Sequence, residues 1–198
     1  MRRWAAVAGA ALAGVLVAVF LVPRLAPEEH EFIGTVLSSP QAAPGFELTA
    51  DDGARVSLDS YRGKAVLIYF GYTFCPDICP ASLAELADAL EALGERRQDV
   101  QVVMVTVDPA RDTPEALAEY LDYFDPSFVG LTGSDEEIAA VAESYNVYYT
   151  AQEGSIATGY LVDHWAGVVL IDPDGRMVEL FSYGTSGEQI AADVLEWL

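Results

Sequence analysis

Two periods of hydrophobic and polar alternation run along this chain. Phe46-Glu47-Leu48-Thr49 and Arg55-Val56-Ser57-Leu58 alternate on either side of Asp51-Asp52-Gly53, which predicts a β-hairpin. Ala65–Phe70 is an unbroken apolar run, the mark of a strand covered on both faces. Leu83, Leu86, Leu90 and Leu93 then recur at helical spacing and stop at Gly94, so a helix is expected from Pro80 to Leu93. Val100–Val107 reads as a second buried strand. Thr113-Pro114-Glu115 supplies a cap and a first-turn proline for another helix. Phe128–Leu131 is a short strand, and Ser134-Asp135-Glu136-Glu137 is a capping box. After an irregular stretch, Val168–Ile171 and Met177–Phe181 bracket Asp172-Pro173-Asp174-Gly175 as a second hairpin. An amphipathic helix from about Gly187 ends the chain.

Alternating strands and helices imply parallel strands, and the closing hairpin adds antiparallel ones. The expected fold class is therefore α/β: a central mixed sheet flanked by helices, of the thioredoxin-like kind. The N-terminus has a different pattern. Met1–Arg3 precedes an uncharged run, Trp4–Val22, that as a helix would span about 28 Å, close to the apolar thickness of a bilayer. Arg2, Arg3 and the terminal amine outweigh Arg24, which places the N-terminus in the cytoplasm. A cleaved signal peptide is the competing reading. It would have an apolar core of roughly 7–15 residues and a small-x-small site after it, and Pro23–Pro27 offers no such site. Residues 23–43 mix prolines with Glu28, Glu29 and His30, as an extended tether does. The expected organisation is a cytoplasmic tail at 1–3, a single transmembrane anchor at 4–22, an extracytoplasmic linker at 23–43 and a globular domain at 44–198, held at the cell membrane.

Charge narrows the partners. The formal net charge of −21 argues against nucleic acid, whose phosphates would be repelled, and is compatible with a cationic ligand or a basic partner surface. The chain has two cysteines, Cys75 and Cys79. A bridge between them would close too short a loop to add much stability, so the pair reads as chemistry. They lie in Tyr69-Phe70-Gly71-Tyr72-Thr73-Phe74-Cys75-Pro76-Asp77-Ile78-Cys79-Pro80, between a buried strand and a helix, where ligands and catalytic groups collect in parallel sheets. With Pro80 at the first helical position, Cys79 would meet the positive end of the helix, which lowers a thiol pKa.

Three residues separate the cysteines, one more than in a Cys-x-x-Cys redox site, leaving room for a third donor. Two thiolates favour Cu(I), and imidazole suits either copper oxidation state. His164, just before the strand Val168–Ile171, is the candidate third ligand, with Asp163 or a backbone carbonyl to orient its ring. A closed zinc site wants four ligands, which this supply does not meet. Read alone, His164 also fits a capped or partly buried histidine, and the cysteines also fit a plain disulfide.

The Tyr69–Pro80 string resembles the copper-site segment of the Sco/SenC family, proteins that assemble the copper centre of cytochrome c oxidase. Val105-Thr106-Val107-Asp108-Pro109-Ala110-Arg111-Asp112-Thr113-Pro114 is similar to that family's strand-to-helix signature. Gly130-Leu131-Thr132-Gly133, Asp163-His164 and Val169-Leu170-Ile171-Asp172-Pro173-Asp174-Gly175 agree as well. The resemblance runs from about residue 44 to 198. It implies a thioredoxin-like fold, copper ligation by Cys75, Cys79 and His164, and as partner the copper-centre subunit of the oxidase or another copper or thiol acceptor. Trp165 departs from the pattern, since a small residue often follows the family's histidine.

Three functions compete. A copper metallochaperone, not an enzyme in the strict sense, would hold Cu(I) or Cu(II) and deliver it to, or prepare, the oxidase copper centre. A thiol–disulfide oxidoreductase would use Cys75 and Cys79 as a redox-active pair on an extracytoplasmic target. Peroxide reduction, suggested by Thr73 two residues before Cys75, has the least in its favour.

Overall fold

The computed structural model describes residues 30–152 and 159–198. The expected tail at 1–3 and anchor at 4–22 lie outside them. Among the described residues, no helix is long and apolar enough to cross a membrane. The chain divides into two units, Met1–Glu31 and Phe32–Leu198, and every element below belongs to the second.

Among the described residues, this unit holds two sheets and four α-helices. In chain order the elements are β1 (Thr35–Ala42), β2 (Glu47–Ala50), β3 (Arg55–Ser57), β4 (Ala65–Gly71), α1 (Ile78–Ala92), β5 (Val100–Thr106) and α2 (Pro114–Asp122). There follow β6 (Val129–Thr132), α3 (Asp135–Ser144), β7 (Tyr149–Gln152), β8 (Leu161–His164), β9 (Val168–Ile171), β10 (Arg176–Phe181) and α4 (Gly187–Trp197). The large sheet has the order β1-β10-β9-β4-β5-β6-β2-β3, and β7 and β8 pair separately. β4, β5 and β6 are parallel, and their neighbours β9 and β2 run antiparallel to them. This is the mixed sheet expected from the alternation of elements.

β4 sits in the middle, and all seven of its residues are buried, as its apolar run requires. Its side chains alternate between the two faces. Tyr69 points toward the start of α1, where its ring and the Cys79 sulfur both press on Gly71. Phe70, on the other face, meets the Tyr145 ring at the end of α3 with centroids 5.7 Å apart. Helices therefore cover both faces of the strand that leads into the cysteines. α1 is backed in turn by α4. The two approach so closely at Gly187 that an added methyl would meet the backbone of Glu85 and Ala89.

Three expectations change. Thr35–Ala42, assigned to the linker, is the edge strand β1, paired with β10 around an irregularity between Val36 and Gln41. Its residues are nearly all exposed and include Pro40, and edge strands tolerate such composition where central strands do not. The α1 helix begins at Ile78, not Pro80, so Cys79 lies within its first turn. Pro80 still falls where the backbone N–H has no intrahelical acceptor, so it breaks nothing. The stretch read as irregular contains the β7–β8 pair, in which Tyr149 is opposite His164.

Candidate metal centre

The cysteine loop begins with a close approach. A Cβ on Gly71 would lie 2.5 Å from the Tyr69 ring and 3.2 Å from Cys79 Sγ, so only glycine lets the strand turn past the sulfur. The loop is then fastened from beneath by Asp112. This carboxylate is fully buried. It accepts bonds from Thr73 N at 3.1 Å, Thr73 Oγ1 at 2.6 Å and Thr106 Oγ1 at 2.6 Å. Burial pushes its pKa up, and these donors oppose the shift. The Arg111–Pro114 string thus does more than end a strand and cap a helix, although Thr113 does cap α2 by accepting from Ala116 N at 3.2 Å. Sequence reasoning missed the anchoring role of Asp112, because nothing in the local pattern marks its carboxylate as buried.

Arg111 joins the cysteine loop to the segment bearing the histidine. Its guanidinium lies 4.8 Å from the Phe74 ring centroid and 3.8 Å from that of Tyr160. It also donates to the Tyr160 carbonyl at 3.1 Å and pairs with Asp108, which takes a further bond from the Tyr160 hydroxyl. A second tie runs from Val162 N to the Tyr72 hydroxyl, at 3.1 Å. These contacts bring β8, and His164 at its end, onto the cysteines across 85 residues of sequence.

The structure brings Cys75, Cys79 and His164 together. Their donor atoms all lie within 4.8 Å of one another. His164 Nε2 is 3.4 Å from Cys79 Sγ. Its Nδ1 is 3.0 Å from the Trp165 carbonyl, so Nδ1–H donates there and Nε2 keeps its lone pair for the sulfurs or a metal. The ring-orienting group is thus a backbone carbonyl. Asp163 turns instead to Gln152, whose Nε2 donates to it at 2.9 Å. The Trp165 ring folds over Gly167, where an added Cβ would collide with it. Tyr69 and Tyr72 hold the imidazole edge-on, with centroids 6.1 and 5.9 Å away.

The thiols divide their roles against expectation. Cys75, half-exposed, is held down to about 3, first by the hydrogen bond from the Cys79 side chain and then by the backbone N–H groups of Asp77 and Cys79, with burial opposing. Cys79 is pushed up, first by that same bond to Cys75 and then by its burial. The helix N-terminus does stabilise a thiolate, but that of Cys75, because Cys79 N donates to Cys75 Sγ at 3.3 Å. Both cysteines are free. One thiolate, one thiol and one imidazole lone pair thus face a common point, a donor set that fits a soft, thiophilic cation such as Cu(I). A cleft of about 360 Å3, lined by Tyr72, Cys75, Asp77, Ile78, Asp163 and His164 among others, opens onto it.

Known proteins resemble this chain in sequence and in fold. The SCO1/SenC family model matches residues 36–198. Protein SenC of Rhodobacter capsulatus is 36% identical over 97% of this chain and 89% of its own length. Protein sco1 of Schizosaccharomyces pombe is 36% identical over 85% of this chain, which spans 65% of that protein. Among solved structures, Bradyrhizobium japonicum ScoI with copper bound is 41% identical with a TM-score of 0.73, covering 80% of this chain and 100% of that one. With the match running from β1 through α4 and across both cysteines and the histidine, this chain belongs to the SCO1/SenC family.

Proposed function

We propose that this protein is a copper metallochaperone in which Cys75, Cys79 and His164 hold the ion. It would deliver copper to, or prepare, the copper centre of cytochrome c oxidase. The observation that carries this reading is the convergence of three donor atoms within 4.8 Å, with the histidine tautomer already set for ligation. Copper is cargo here. Both thiols must be reduced before it binds, and binding displaces the Cys79 proton. Cys75 is the more exposed sulfur and so the first point of contact for an incoming thiolate, with Cys79 buried behind it. The apolar run Trp4–Val22 supports a single-pass anchor with the domain on the extracytoplasmic side, and the net charge of −21 suits a basic acceptor surface.

The thiol–disulfide alternative is not favoured. It uses the cysteine pair but gives no reason for an imidazole nitrogen fixed 3.4 Å from Cys79 Sγ. Anaerobic titration of the reduced full-length protein with Cu(I), beside His164→Ala, tests the proposal. One equivalent bound tightly by the wild type and weakly by the variant is expected. Absence of stoichiometric binding, or equal binding by the two, would sink it.

A further inference from the structure

Two hydroxyls behind the site make no hydrogen bond among the described residues. They are Tyr69 Oη and Ser82 Oγ, and both are buried. Tyr69 is 0% exposed and Ser82 8%. Buried polar atoms are nearly always satisfied, so two orphans at one place need a cause. Both lie on the Cys79 side of the centre. Burial first, and then the neighbouring Cys79, push the pKa of the Tyr69 hydroxyl up, so it stands within reach of that sulfur and of Ser82 without closing a hydrogen bond to either. The Tyr69 ring and the Cys79 sulfur press on the same point above Gly71, at 2.5 and 3.2 Å from where a Cβ would stand. Ser82 is three residues beyond Cys79 on α1, hence on the same face of the helix. The Tyr69 ring also meets His164 edge-on.

A neutral thiol sulfur is a weak acceptor, whereas a thiolate, including one bound to a metal, accepts strongly. The orphaned hydroxyls therefore suit a state of Cys79 in which its sulfur carries charge and its proton is gone. We propose that Tyr69, supported by Ser82, is a positioning residue that donates a hydrogen bond to the Cys79 sulfur when copper is bound. This rests on the copper reading above. Oriented hydroxyls would steady the buried sulfur against the metal and withdraw charge from it. Removing groups of this kind weakens metal binding while leaving every ligand in place.

Tyr69→Phe and Ser82→Ala test the inference in the reduced full-length protein. Cu(I) affinity is read by competition with a chromophoric chelator, thermal midpoint on the metal-free protein, and the thiolate-to-metal charge-transfer band on the Cu(II) form. Tyr69→Phe is expected to lower affinity about 10- to 100-fold, the range for partners of metal ligands. It should also move the charge-transfer band to lower energy, because the sulfur keeps more charge. The metal-free midpoint should hold or rise, because the deleted hydroxyl has no partner there. Ser82→Ala is expected to shift affinity and band in the same directions by less, and it carries the test if the tyrosine variant fails to fold. Affinities for both variants within about twofold of wild type, or weaker binding with an unshifted band, overturn the inference while the copper reading stands. A wild-type protein that binds no copper overturns both.

Discussion

The backbone N–H of Cys79 donates to the Cys75 sulfur across 3.3 Å, so the helix that carries one cysteine stabilises charge on the other. Reactivity should follow this asymmetry. In the reduced metal-free protein, Cys75 is expected to be alkylated at a rate almost independent of pH between about 5 and 8, since its pKa is held down to about 3. An ordinary thiol would slow about tenfold per unit over that range. Cys79, buried and protonated, should label only on unfolding. Mass spectrometry of iodoacetamide-treated protein checks both. Faster labelling of Cys79 would reverse the assignment of thiolate and thiol.

His164→Ala removes the one nitrogen donor and leaves the cysteine loop intact. Weakening of Cu(I) binding beyond the roughly 100-fold typical of partner residues is expected. The metal-free thermal midpoint should change little, since the histidine is partly exposed and hydrogen-bonds a neighbouring carbonyl. Chelator competition and a melting curve give the two numbers.

Gly71→Ala should fail for steric reasons. The new methyl would stand 2.5 Å from the Tyr69 ring and 3.2 Å from Cys79 Sγ, and the ring is fully buried with no room to retreat. A destabilisation of about 1–3 kcal/mol is expected from overpacking of this kind. Weakened metal binding should accompany it. Urea unfolding with and without Cu(I) would show both losses, and a variant of wild-type stability would contradict the close approach.

Far from the metal centre, Glu179 on β10 is buried and accepts from the Trp197 indole at 2.9 Å. Burial first, and then the Asp193 carboxyl, push its pKa from 4.5 up to about 7. The folded protein thus keeps this proton where the unfolded chain has lost it. The resulting contribution is fully present below 4.5 and falls away as pH rises through about 7. Glu179→Gln is expected to gain on the wild type between about pH 5 and pH 8, by calorimetric midpoint. A variant-minus-wild-type difference that stays flat over that range would refute the assignment.

The candidate metal donors and the central strands were legible because their signals are local and strong. Ala65–Gly71 has no polar position, and Cys75 and Cys79 are the chain's two cysteines. β1 was hidden because an exposed edge strand with Pro40 and Ser38-Ser39 has the composition of a tether. β7 and β8 were hidden because each is four residues long and they pair only with each other. Asp112 and Arg111 looked like a helix start because their work is done at long range, on Thr73, Phe74 and Tyr160. The order of the thiol pKa values was inverted for a similar reason. The sequence placed Cys79 at the helix end but could not tell which sulfur would receive the helix's N–H.

A main-chain acceptor has one further property. The bond that fixes the His164 ring ends on the carbonyl of residue 165, and every amino acid brings a carbonyl to that position. Replacing Trp165 would change what lies over Gly167 and leave this bond available. The neighbour of the histidine is therefore free to drift among small and large side chains without altering the tautomer. A bulky residue beside the histidine, which looks on paper like a break from the family pattern, is a change at a position where the side chain carries none of the orienting task.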